Sequence, residues 1–157
     1  MKQLLLLLGL TVFLLPSATL QAQNRYTKPE LQAIYGDMLS DLGLTHRIDS
    51  DGDVQFVFRE RTYFIGISDS DPHFFRIALF NVWPIESAAE MADARTAIDR
   101  VNGELKVAKI YTVENGNGPD VWISVEMFVE EPTQVSSQLK RCLEVMDEAV
   151  RKFISLM

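Results

Sequence analysis

A single cysteine, Cys142, leaves this chain without an internal disulfide, so its fold must rest on an apolar core. Only two histidines are present, His46 and His73, with no ligand spacing between them. A zinc site of three or four convergent ligands is therefore not expected. No G-x-S-x-G turn and no glycine-rich phosphate loop occurs between a strand and a helix. A basic surplus is also missing: 22 acidic residues outnumber 15 basic ones, for a net charge of −7. Such a chain repels phosphate backbones and anionic lipid, which argues against nucleic acid as a partner. No apolar run approaches the roughly 20 residues that a membrane-spanning helix needs.

What the chain does have begins at its first residues. Met1-Lys2 precedes an apolar run from Leu4 to Leu15, broken by Pro16-Ser17 and followed by small or polar residues to Ala22. That layout predicts a secretory signal peptide over residues 1–22. Cleavage is expected after Ala22, with Ala18 as the fallback because Leu20 is a less usual residue near the cut. No cysteine stands there to take a lipid anchor, so no stable membrane attachment is expected after cleavage. Loss of Lys2 takes the net charge from −7 to −8. Residues 23–157 are then one periplasmic or secreted domain, long enough to hold one core.

Helical and strand periods alternate along that domain. Thr27-Lys28-Pro29-Glu30 fits a capping box, and Leu31, Ile34, Tyr35, Met38, Leu39 and Leu42 follow at helical spacing until Gly43. Val54, Phe56 and Phe58, then Tyr63, Ile65 and Ile67, alternate as two strands with a tight link near Glu60-Arg61. A third strand is predicted from His73 to Val82, stopped by Trp83-Pro84. Ser87 and Glu90 form a second capping box before the stripe Met91, Ala94, Ile98 and Val101, closed by Asn102-Gly103. Two more strands follow, Leu105–Glu114 and Asp120–Val129, separated by a turn at Asn115–Pro119. Pro132-Thr133 opens a last helix with its stripe at Val135, Leu139, Cys142, Leu143, Met146, Ala149, Val150 and Phe153. The order α-β-β-β-α-β-β-α predicts an α+β domain: a mostly antiparallel five-stranded sheet with three helices. Cys142 reads as a small buried hydrophobe on the last helix.

Asp49, Asp51, Asp53 and Glu60 match positions 1, 3, 5 and 12 of a calcium loop. Val54 stands where the loop needs glycine, and the following alternation is that of a strand. An Asp-Gly turn feeding the strand is the better reading, and no metal or other cofactor is expected. The second face of the sheet is more informative. Trp122, Ser124, Glu126 and Phe128 lie opposite the aliphatic side of the last strand. Phe74, Arg76, Ala78, Phe80 and Val82 form the matching face of the third strand, and Phe64 and Val57 can join them. One helix covering this face is the simpler explanation. The other is a partner surface, with Phe80, Trp122 and Phe128 as anchors and Arg76 and Glu126 as orienting charges.

Four stretches carry a resemblance to a known family. They are Asp71-Pro72-His73-Phe74-Phe75-Arg76, Asn81-Val82-Trp83-Pro84-Ile85, Val101-Asn102 with Lys106-Val107-Ala108-Lys109, and Trp122-x-Ser124-x-Glu126-x-Phe128. Together they resemble the YbjN-like proteins, bacterial domains described as sensory transduction regulators. The resemblance implies a fold similar to that of type III secretion chaperones, with the same element order. It supplies no catalytic residues. Cytoplasmic members lack the leader seen here, so it does not imply a cytoplasmic role. The expected function is thus an exported, non-catalytic binding domain for a protein partner or for a second copy of itself. A small periplasmic enzyme, or a ligand carrier with a pocket between helix and sheet, is the alternative.

Overall fold

The structure is a computed structural model that describes residues 26–116 and 118–157. The predicted signal peptide lies outside the described residues. The first helix, α1, spans Lys28–Asp41. Its capping box forms as predicted: Thr27 accepts from the Glu30 amide, and Glu30 accepts from the Thr27 amide at 2.7 Å. Six strands follow in a single antiparallel sheet: β1 His46–Ile48, β2 Val54–Phe58, β3 Arg61–Ile65, β4 Phe74–Pro84, β5 Ala108–Asn115 and β6 Gly118–Phe128. Their order across the sheet is β1-β2-β3-β4-β6-β5. The helix α2, Ala88–Glu104, connects β4 to β5, and α3, Ser136–Ile154, closes the chain after a short 3₁₀ turn at Pro132–Val135.

The sixth strand corrects the expected five. β1 is three residues long and wholly exposed, so its sequence carries no alternation between buried and open positions. Only pairing with β2 makes it a strand. Its His46 ring lies over Gly36 of α1, where a β-carbon would sit 2.4 Å from Nε2. Glycine in mid-helix is costly, and here it makes room for that ring.

All three helices pack on one face of the sheet. Val54, Phe56, Tyr63, Ile65, Phe75, Ile77, Leu79, Val121, Ile123 and Val125 form the strand side of the core. Leu31, Tyr35 and Leu39 of α1, Ala94 and Val101 of α2, and the α3 stripe form the other side. Every member of the predicted α3 stripe is buried, Cys142 included. Burial in this apolar setting raises the Cys142 thiol pKa.

Two features depart from the sequence reading. The β2–β3 link is Arg59-Glu60, both with positive φ, 47° and 66°. Primed turns of this kind match the twist of a hairpin but strain residues with a β-carbon. Arg59 offsets this by reaching α3, where its guanidinium pairs with the buried carboxylate of Asp147. The second departure is that Trp83-Pro84 does not stop β4. Between the pairs Leu79–Ile123 and Trp83–Val121, β4 uses four residue steps where β6 uses two. This bulge holds Asn81 at φ 53°. It also moves Val82 from the expected open face into the core cluster.

Tyr63 is fully buried, and its hydroxyl has no hydrogen-bond partner among the described residues. Burial pushes its pKa up to about 12. A shielded polar group without a partner costs roughly 1–3 kcal/mol. Tyr63→Phe is therefore expected to raise the melting temperature, and a fall in a thermal melt would show that the hydroxyl is satisfied in solution.

Candidate interaction face

The opposite side of the sheet is left uncovered by every helix among the described residues. A covering helix was the simpler expectation, and the packing of α1, α2 and α3 on the aliphatic side overturns it. Local alternation places the residues, and register brings them together. Phe64 of β3 faces Ala78 of β4, Ala78 faces Ser124 of β6, and Tyr111 of β5 faces Trp122 of β6. Ala78 and Ser124 are small and buried at the centre of this face. Larger neighbours can close over them.

Those neighbours form a row of four rings across four strands. Phe64 and Phe80 stack at 5.0 Å, Phe80 meets Trp122 at 4.4 Å, and Trp122 meets Tyr111 edge-on at 6.4 Å. Such pairs are worth about 0.5–1.5 kcal/mol each beyond their area. Phe80 is the first β4 residue inside the bulge, just past the Leu79–Ile123 pair, and extends the row toward β3. An open depression of about 450 Å³ lies beside it, lined by Gln55, Thr62, Phe64, Phe80 and Asn81 among others.

A charged network borders the rings. Arg76 donates to the Tyr111 hydroxyl at 3.2 Å and lies 3.7 Å from Glu126, its cross-strand neighbour. Lys109 donates to Glu126 at 2.8 Å, and Ser124 donates to it at 3.0 Å. The Lys109 hydrogen bond is the main reason that the Glu126 carboxyl pKa is lowered; burial opposes the shift, and Ser124 and the charges of Lys109 and Arg76 reinforce it. Glu126 therefore stays ionised to lower pH than a free glutamate does. Its stabilising contribution is present above its unfolded pKa and is lost as pH falls through the lower folded value. The Arg76 guanidinium also lies 6.0 Å from the Phe80 ring centre. Two donors on this face, Trp122 Nε1 and Arg76 Nε, are shielded and lack a hydrogen-bond partner among the described residues.

Of the five residues singled out from sequence, four converge: Arg76, Phe80, Trp122 and Glu126. Phe128 lies at the far end, 81% exposed, its ring 5.5 Å from that of Phe74. Lys109 and Tyr111 complete the site and were missed. Their signal was the alternation Lys109-x-Tyr111-x-Val113, which needs the β5–β6 register to be placed beside Trp122.

The remaining candidates serve local structure. Asp49 Oδ1 accepts from the amides of Asp51 and Asp53, each at 2.9 Å, and Asp53 accepts from Ile67 at 2.9 Å. These bonds build the turn into β2. No group of three or more His, Cys, Asp or Glu among the described residues is placed to hold a metal. Glu90 does not complete the second capping box. Its carboxylate accepts from Trp83 Nε1 at 2.7 Å and from the Glu86 amide at 2.8 Å, and this fastens α2 to the end of β4.

No family model matches the sequence. No curated protein matches it either. Among solved structures it is similar to the crystal structure of YbjN, a candidate transcription regulator from E. coli. The TM-score is 0.60 and the identity 13%, over 79% of this chain and 90% of that one. The likeness at that identity is one of fold. The chain has the YbjN-like α+β fold, similar to that of type III secretion chaperones, with six antiparallel strands and three helices on one face.

Proposed function

We propose that this chain is an exported, non-catalytic domain that binds a protein partner, or a second copy of itself, through the open sheet face. One observation carries the reading. A row of four rings in contact and the Phe74–Phe128 pair stand on the side of the sheet away from the helices, next to an Arg76–Glu126–Lys109 network. Rings with a few charges are the composition of protein interfaces. The face is broad and open rather than a deep pocket with converging acids and bases, which favours binding over catalysis. YbjN is described as a transcription regulator candidate, but a net charge of −7 makes direct DNA contact unfavourable here.

Export rests on the signal peptide read from residues 1–22, which supports a location in the periplasm or outside the cell. Intact-mass measurement on protein from the native host tests it. A mass lacking residues 1–22 is expected, and one retaining Leu4 to Leu15 would refute export by cleavage. The binding reading is tested by crosslinking and sedimentation of the mature protein, with Trp122→Ser as the matched control. Equal association by both proteins would move the partner away from this face.

A further inference from the structure

A second surface lies on the helix side of the sheet, where α3 passes the start of β5. Here an open groove of about 420 Å³ has Val107, Met127, Cys142 and Val145 among its walls and Lys106 and Arg141 among its polar lining. That volume is within the range of small-molecule sites. Ser137, Arg141 and Val145 recur every four residues, and Gln138 and Cys142 stand four apart beside them, so α3 presents one continuous flank to the groove. Met127 and Val145 are half-buried against the core, which makes the floor apolar.

Two independent observations point to an occupant. The first is charge. Lys106 and Arg141 are exposed, and neither makes an ion pair among the described residues. In a chain with 22 acidic residues, two unneutralised cations border the same apolar groove. The second is strain. Val107 has φ 77°, and the Ala108 amide donates to the Lys106 carbonyl at 2.9 Å across it. Together these make a γ-turn of the rare, strained hand, centred on a β-branched residue. Glycine would hold that turn without strain. Instead the position carries an apolar side chain, 62% exposed, lining the groove. Strain kept in this way marks functional positions.

We propose that this groove binds a free single-chain anionic amphiphile, with the apolar chain along Val107, Met127, Cys142 and Val145 and the carboxylate between Lys106 and Arg141. The charge of the groove lining excludes cationic amphiphiles, and its floor provides nothing for a purely polar anion. The site is separate from the ring face, so it stands or falls apart from the partner-binding reading.

Dodecanoate, kept below its micellar concentration, is the probe. Titration calorimetry with the folded chain is expected to show saturable binding of one molecule per chain. Alkylation of Cys142 by iodoacetamide should slow when the groove is filled. Arg141→Ala and Lys106→Ala are each expected to weaken binding about tenfold, equivalent to about 1.4 kcal/mol, with melting temperatures unchanged. Val107→Gly should keep or raise the melting temperature while weakening binding, whereas Trp122→Ser should leave dodecanoate affinity as it was. Equal affinity for dodecanol would overturn the assignment of the head group. Absence of binding, unchanged affinity in both cation variants, or binding only to anionic lipid vesicles would overturn the site.

Discussion

Replacing Trp122 by serine is expected to weaken association of this domain with its partner by at least tenfold while the monomer stays folded. Burying an aromatic side chain on association contributes roughly 1.5–3 kcal/mol, which is tenfold or more in affinity. Trp122 sits at the centre of the ring row, between Phe80 and Tyr111, and well-packed central aromatics dominate binding energies. The monomer loses less. No helix among the described residues covers Trp122, its side chain is only half-buried, and what disappears are two ring contacts worth about 0.5–1.5 kcal/mol each. A melting temperature lowered by a few degrees, with association abolished in sedimentation or crosslinking, is the expected pair of results. A large fall in melting temperature with unchanged association would mean that the rings serve the fold alone.

The opposite result is expected one residue from the open face. Phe75→Ala on β4 should cost about 3–5 kcal/mol, since a fully buried phenylalanine leaves a cavity that its neighbours fill poorly. Phe75 packs on Tyr35 of α1 with ring centres 5.5 Å apart, so the loss also loosens the helix layer. Total stabilities of 5–15 kcal/mol leave little margin for such a change. Denaturant unfolding of Phe75→Ala beside Phe74→Ala gives the comparison. Phe74 is its neighbour on β4, half-buried on the other face, and its truncation should cost far less. Equal losses would mean that the two faces are covered alike.

Much of this arrangement was legible in local pattern. The capping residues Thr27 and Ser87 mark the starts of α1 and α2, and the apolar period of α3 identifies its buried side residue by residue. The β6 alternation separates Val121, Ile123 and Val125 from Trp122, Ser124 and Glu126. Other features were not legible because their causes are distant in sequence. β1 exists through pairing with β2, and Arg59 tolerates its left-handed turn beside Asp147, which lies on the last helix. Glu90 looks like a capping residue but bonds the Trp83 indole, because the β4 bulge brings that ring to the start of α2.

The same division runs through the candidate site. Side chains in a strand point alternately to its two sides, so sequence by itself determined that Arg76 and Phe80 share one face of β4, and Trp122 and Glu126 one face of β6. Alternation is a property of each strand alone. It cannot say which strands are neighbours, in what register, or which side the helices take. Tertiary structure decided those points: the order β4-β6-β5 sets Tyr111 against Trp122 and Lys109 against Glu126, and the helices gather on the aliphatic side because that burial removes the most apolar surface from water. The ring face is open as a consequence of that choice, which no single segment of the chain encodes.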